Sequence, residues 1–478
     1  MTDHAPRPAP PPLWARAADV LAAAVAAAGA FVAFSGGFRF QVAGLRVSVT
    51  SGTRILAIAA AIVVLRVLFC RRPSDFGALG SRVKSTWRSP SLRAVVPVWA
   101  ASRFGVLAVG IFAMGAFGFR QYEVPFKVYQ TEILNLPARY DAGWYLDVAA
   151  SGYVWDPGTT AQQNIAFMPA LPLLMRVGGR LIGGHPLWAG QILVLAASLW
   201  GFVYVFRLAR SALGDEGQAA AAVALLAAYP FAVFYSAVYT ESIFLLGAAG
   251  AFHHVTRREY WRVAAFSLLC GLTRPNGFLI ALPVSLIVFW PAFVEAKASA
   301  GSPGLGSRVT RALRAAAPAM LASSAAVAGV LAFSGFVMAL TGRPLAWLEA
   351  HGAWGRVFGA WLSDGPIQEL QYRGLYGFVR TRPIDALNLA AALGGLAAIW
   401  PVTKRLGAAY GVFVAIVLVP PLAAGGLLSI GRLTSVMFPV FIWLAAAVPA
   451  RHRAAWLAAF ALFQGWGASL FFTLREFI

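Results

Sequence analysis

Along most of this 478-residue chain the apolar residues neither alternate with polar ones nor recur on one helical face. They run together instead, for close to the ~20 residues that a helix needs to cross a hydrocarbon core. Such runs occupy 14–34, 54–70, 94–119, 187–207, 219–238, 242–256, 262–273, 277–294, 316–340, 384–402, 407–424, 433–450 and 454–474. Short basic or Gly/Pro segments separate them. With 167–183 read as a re-entrant or interfacial segment, the pattern predicts an all-α polytopic membrane protein with about 13 transmembrane helices. Two stretches depart from it. Residues 1–12, MTDHAPRPAPPP, are a Pro-rich polar tail expected to be disordered and cytoplasmic. FRFQVAGLRVSV, at 38–49, alternates apolar and polar residues about Ala43-Gly44 and predicts a small β-hairpin outside the membrane. An N-terminal apolar run can also be a cleaved signal peptide, but the length of 14–34 and the second run close behind it favour a retained helix.

Composition sharpens this picture. The chain is 59% hydrophobic and only 12% charged, against about 25% charged in soluble domains, so no soluble domain large enough to fold alone is expected. Its formal charge of +21 is spread over the ends of apolar runs rather than gathered on one soluble face. A positive-inside bias explains the excess, and nucleic acid is not an expected partner. Arg71, Arg72, Arg82, Lys84, Arg88 and Arg93 stand against a single Asp75, which puts 71–93 and the N-terminus on the cytoplasmic side. The loop 120–164 is then extracytoplasmic, and Glu123, Glu132, Asp141, Asp147 and Asp156 outnumber Arg120, Lys127 and Arg139 within it. The loops at 207–217, 257–262, 297–314, 404–405 and 451–453 all fall inside, and all are basic but the first, where Asp215 and Glu216 balance Arg207 and Arg210. A second outer loop, 341–383, carries Trp347, His351, Trp354, Trp361, Tyr372 and Tyr376, aromatic enough to lie along the membrane interface. The two cysteines, Cys70 and Cys270, suggest neither a disulfide framework nor a metal cluster. There is no sequence repeat, P-loop or dinucleotide fingerprint.

RYDAGWYLDVAASGY, at 139–153, is the most informative stretch. Read as a short helix starting near Asp141, it places Asp141, Trp144, Tyr145 and Val148 on one face and turns Asp147 elsewhere. A carboxylate then shares a surface with two aromatic rings at the mouth of the membrane. The plainer alternative makes Asp141 an N-cap that accepts backbone N–H bonds. Glu241 has a similar double reading, since Thr240 could cap the next helix with Glu241 favouring the positive end of its dipole. His351 stands alone in its aromatic loop, and without a ligand cluster a metal site is not expected.

The stretch 139–153, followed by NIAFMPALPLL from Asn164, resembles the signature of PIG-V-type mannosyltransferases, members of the GT-C superfamily of polyprenyl-phosphate-sugar-dependent glycosyltransferases. YPFAVFYSAVYTESIFLL (229–246), GLTRPNGFLIALP (271–283) and GRLTSVMFPVFIWLA (431–445) are similar to later family segments, in the family's order, so the resemblance covers about 95–450. Tyr140 departs from it, standing where relatives often have Trp or Phe. The helices before residue 93 are additional to the family core.

The resemblance implies transfer of mannose from a polyprenyl-phosphate-mannose donor to an extracytoplasmic lipid or glycan acceptor, with inversion, in a bacterial plasma membrane. It divides the chain into the tail 1–12, an extra helix pair with its basic loop at 13–93, and a GT-C-like catalytic domain at 94–478 including outer loops 120–185 and 341–383. An acceptor hydroxyl needs a base, and Asp141 is the candidate. The departing phosphate needs a cation, and Arg139, Arg274 and Arg432 are the candidates, with headgroup snorkelling or helix-end contacts as the alternative for each. Arg139 could instead orient Asp141. Substrate contacts are expected from Trp144, Tyr145, Tyr153, Asn164, Tyr239, Glu241 and Asn276, with anchoring at the membrane interface as an equal alternative for the three tyrosines. No cofactor or metal is implied, since the lipid-linked sugar phosphate is a substrate; the other partners are membrane lipids. A transporter or lipid flippase would also need many spans, but it usually carries ionisable residues near the midplane, whereas here the candidates cluster in outer loops. A structural protein with a decayed site is a third reading.

Overall fold

The computed structural model describes residues 89–120, 127–298, 304–359 and 365–477, together with parts of 12–26 and the segments 38–42, 45–49 and 52–69. The tail 1–11, the basic stretch 71–88 and the side chains of Glu123 and Trp361 lie outside the described residues. The chain forms two compact units, Met1–Arg93 with Gly178–His185, and Ala94–Val177 with Pro186–Ile478.

In the first unit, β1 (Phe38–Val42) and β2 (Leu45–Val49) pair antiparallel with Val42 opposite Leu45, the hairpin that the alternation predicts. Helix α1 (Gly52–Phe69) carries Arg66, which binds both carboxylate oxygens of Asp19 at 2.9 and 3.1 Å. Both side chains are buried. In apolar surroundings each charge needs the other, so this pair ties the two N-terminal helices together.

The larger unit is a polytopic helical assembly. Helix α2 (Pro90–Phe117) leads into it, followed by the short α3 (Ala142–Ser151), α4 (Ala170–Leu181), α5 (Pro186–Leu213) and α6 (Glu216–Ala228). Next come α7 (Glu241–Thr256), α8 (Tyr260–Gly271), α9 (Ala281–Ala298), α10 (Leu305–Ser323) and α11 (Ala325–Thr341). The series ends with α12 (Gly365–Thr381), α13 (Pro383–Leu406), α14 (Ala408–Gly425), α15 (Ile430–Thr434), α16 (Phe438–Ala447) and α17 (Ala450–Phe472). Among the described residues seven helices are long and apolar enough to cross a membrane, or eight if one bent pair counts as a span. The protein is therefore a multi-pass membrane protein, all-α apart from its hairpin. Helix α7 packs between α5 and α8, α8 on α11, α9 on α10 and α14, and α6 on α16.

Two segments expected to be continuous spans are broken. In 219–238, α6 stops at Ala228, Tyr229 turns extended (ψ 138°), and Pro230 opens a 3-10 segment bent 83° from α6. Proline lacks the N–H that would continue the ladder, and it excludes its predecessor from the helical region. The carbonyls freed by the break would be orphaned in an apolar interior. Arg103 of α2 donates to the carbonyls of Ala227 (2.7 Å) and Ala232 and to Ser236 Oγ (3.2 Å). Gln464 of α17 donates to those of Ala227 and Tyr229 at 2.8 and 2.9 Å. In 433–450, α15 ends at Thr434 and Pro439 helps start α16. Gly431 sits where a Cβ would overlap the Phe231 ring, so the two broken segments approach as closely as backbone allows.

Candidate active site

The breaks bring residues 239–241 and 429–433 beside the start of α3 and the loop after α8. A cavity of about 760 Å³ opens there, within the usual range for substrate pockets. The loop leading to α3 is tied down by the buried Asn135, whose Oδ1 accepts the N–H groups of Val128 (2.8 Å) and Tyr129 (2.9 Å) and whose Nδ2 donates to two carbonyls.

Asp141 precedes the first turn of α3, but its side chain makes no capping bond. Arg432 takes it instead, donating from Nη1 to Oδ2 at 2.7 Å. Behind the carboxylate, the Asp141 backbone N–H donates to the Tyr239 hydroxyl at 3.1 Å. Glu241 is 1% exposed; its Oε1 accepts from Arg274 at 2.7 Å and lies 3.4 Å from Arg432 Nε, an ion pair without hydrogen-bond alignment. Its Oε2 is buried and has no partner among the described residues. Thr240 makes no side-chain capping bond, so the helix-cap reading of the Thr240-Glu241 pair reduces to a favourable charge in the first turn of α7. Burial works against the charge of Arg432, but Glu241 and then Asp141 outweigh it and hold its pKa above the ordinary value.

The remaining expected residues divide cleanly. Trp144, Tyr145, Arg274 and Asn276 line the cavity with Asp141, Glu241 and Arg432. Tyr239 stands just behind, its ring 5.2 Å from the Arg432 guanidinium. Arg139, expected at a phosphate, is 1% exposed and spends its donors on the carbonyls of Phe472, Asn135 and Ala138 and on Glu132. It does not line the cavity, and it serves to knit the loop before α3 to the end of α17. Tyr153 donates its hydroxyl to Phe167 O at 2.8 Å and packs on Phe333 and Phe336, away from the cavity. Asn164 donates to Asp147 Oδ2 (2.6 Å) and Gly152 O and accepts from Val154 N–H, closing the loop after α3. These three placements share a cause: long polar side chains near a loop are needed to satisfy its backbone, and sequence spacing does not say which of them are so used.

Sequence reasoning missed Arg356, which lines the cavity and whose guanidinium hydrogen-bonds Leu428 O at 3.5 Å. Among the described residues it is the one cavity-lining arginine without a carboxylate partner. Burial, with Arg432 next, brings its pKa down to about 10, so it stays cationic at neutral pH. Part of the cavity wall is aromatic. Trp144 stacks on Phe167 at 5.8 Å, and Trp354 stands edge-on to both. Backbone strain gathers here as well: of the four non-glycine residues with positive φ among those described, Tyr140 (48°), Ser429 (56°) and Leu474 (58°) all line the cavity. Each costs on the order of 1–3 kcal/mol and persists only where the surroundings enforce it. No group of three His, Cys, Asp or Glu suited to a metal occurs among the described residues.

No family model matches the chain. A stretch of 156 residues is 31% identical to the GPI alpha-1,6-mannosyltransferase 2 of Homo sapiens, covering 30% of this chain and 29% of that protein. The Mus musculus protein of the same name is 28% identical over 154 residues, again 30% and 29%. The match thus spans less than a third of the curated relatives. Among solved structures, the oligosaccharyltransferase AglB of Archaeoglobus fulgidus with an inhibitory peptide and a dolichol-phosphate aligns at 14% identity over 78% of this chain and 55% of its own, with a TM-score of 0.37. The Archaeoglobus fulgidus oligosaccharyltransferase in complex with Zn and sulfate gives 15%, 76%, 53% and 0.39. Overlaps this loose carry no argument about the site.

Proposed function

We propose that this protein is a membrane glycosyltransferase of GT-C type that moves mannose from a polyprenyl-phosphate-mannose donor to an extracytoplasmic lipid or glycan acceptor. The observation that carries the reading is a single cavity in which the carboxylate of Asp141 and Arg356, an arginine with no acidic partner among the described residues, face the same apolar-walled space. The local likeness to a GPI mannosyltransferase supports the choice of sugar.

In this mechanism an acceptor hydroxyl loses its proton to Asp141 as its oxygen bonds to the anomeric carbon. The bond from that carbon to the phosphate oxygen breaks, and its electron pair leaves with the phosphate. Attack opposite the leaving group inverts the anomeric centre. Arg356 meets the developing phosphate charge, with Arg432 held between the two carboxylates. Glu241, buried between Arg274 and Arg432, holds both guanidinium groups beside the substrate space. The same proposal includes about thirteen crossings, with the shorter helices α7, α8 and α16 among them, a cytoplasmic N-terminus, a bacterial plasma membrane location, and a catalytic domain over 94–478 preceded by an additional helix pair.

The test is turnover of radiolabelled polyprenyl-phosphate-mannose by the full chain in lipid, with membrane extracts supplying acceptors. Asp141→Asn is expected to keep the fold and lose at least ~100-fold in rate, the scale of a missing acid–base group. Unaltered turnover in that variant would remove Asp141 from the mechanism, and absence of wild-type transfer alongside transmembrane movement of the lipid would replace the enzyme with a flippase.

A further inference from the structure

Five residues before Arg356, the side chain of His351 lines the same cavity. Its Nδ1 lies 2.8 Å from the carbonyl of Trp347, which can only accept. The Nδ1 position therefore carries the proton, and Nε2 is left as a bare lone pair with no partner among the described residues. Burial above all, and then Arg356, holds the ring neutral, with its pKa down at about 4. The ring also adjoins the aromatic wall, 6.5 Å from Trp354 between centroids.

These features select a ligand chemistry. An uncharged nitrogen lone pair repels phosphate and accepts an O–H. Aromatic faces carry negative charge density and favour the electropositive C–H face of a pyranose over an anion. The phosphate cation and this acceptor belong to one loop, where the Arg356 backbone N–H donates to His351 O at 3.3 Å, so a single short segment can meet a phosphate and the sugar attached to it.

We propose that His351 Nε2 accepts a hydrogen bond from a hydroxyl of the donor's sugar ring while the ring lies against Trp354 and Trp144, making His351 the residue that distinguishes a sugar-bearing lipid phosphate from a bare one. This rests on the glycosyltransferase reading above. It extends that reading to a residue outside the acid–base and phosphate chemistry.

The experiment is equilibrium binding to the full chain in lipid nanodiscs, using citronellyl-phosphate-mannose, its four monodeoxy analogues and bare citronellyl phosphate. Wild type is expected to bind one monodeoxy analogue about tenfold more weakly than the parent, the scale of one buried hydrogen bond. His351→Phe is expected to weaken the parent by the same factor, to bind that analogue and the parent equally, and to bind bare citronellyl phosphate like wild type. His351→Gln, whose amide oxygen can accept the same hydroxyl, is expected to restore most of the preference. A His351→Phe protein that retains the wild-type ranking of the analogues overturns the inference. So does parallel loss of every ligand, bare phosphate included, because that marks a purely structural role. Failure of wild type to bind either the mannosyl lipid or the bare phosphate would instead defeat the glycosyltransferase reading, and the inference with it.

Discussion

Glu241→Gln is the sharpest perturbation of the site's electrostatics, because one carboxylate with 1% side-chain exposure serves two arginines. Its Oε1 lies 2.7 Å from Arg274 Nη2 and 3.4 Å from Arg432 Nε. With charge centres ~4 Å apart and an effective dielectric near ~20, each attraction is about 4 kcal/mol. In the intact site most of that offsets the desolvation of the three ions, so little net stability remains. Glutamine keeps the shape and removes the charge. Arg274 is then left 6% exposed against the Phe244 ring, with Arg432 pushing on it. Stranding a buried charge in this way costs about 3–5 kcal/mol. Adding Arg274→Met takes away the stranded charge, so the double variant should recover at least ~2 kcal/mol relative to the sum of the two single changes. Denaturant titration in bicelles, read from midpoint and slope, measures all four proteins. A single variant within ~1 kcal/mol of wild type, or a strictly additive double variant, would refute the account of Glu241 as a shared buried counter-ion.

Other consequences follow from the same contacts. Arg103→Met takes the Arg103 donor from the Ala232 carbonyl and leaves Ala227 with Gln464 at the break after α6, and it should lower stability by about 2–4 kcal/mol, whereas Gln464→Leu should cost about 1–2 kcal/mol; thermal unfolding in nanodiscs would rank them. Gly431→Ala drives a methyl into the Phe231 ring and should displace Arg432 from Asp141. Transfer should then fall at least ~10-fold with only a modest change in unfolding temperature. His351 has a folded pKa of about 4, depressed from 6.5. The unfolded chain therefore binds its proton first, and stability contributed by the neutral ring is full above 6.5 and lost as pH falls toward 4. His351→Phe should flatten the stability profile across that window, and an unchanged slope would show that the ring is not held neutral in the fold.

The hydropathy pattern by itself determined that this chain belongs in a bilayer, because twenty-residue apolar runs have no other solvent. It also placed the hairpin at 38–49, since alternation about Ala43-Gly44 has one simple solution. Pro230 and Pro439 stand within apolar runs, and reading those runs as continuous spans missed the breaks beside them. Spacing around Asp141 pointed to a face shared with Trp144 and Tyr145, and all three line the cavity. What spacing could not decide was how each polar side chain is spent. Arg139, Arg274, Arg356 and Arg432 are chemically identical, and only the tertiary structure shows that the first satisfies loop carbonyls, the second and fourth neutralise buried carboxylates, and the third keeps its charge for the cavity. The reason is physical: a buried polar group must find a partner, and the identity of that partner is set by residues tens to hundreds of positions away, such as the 291 that separate Asp141 from Arg432.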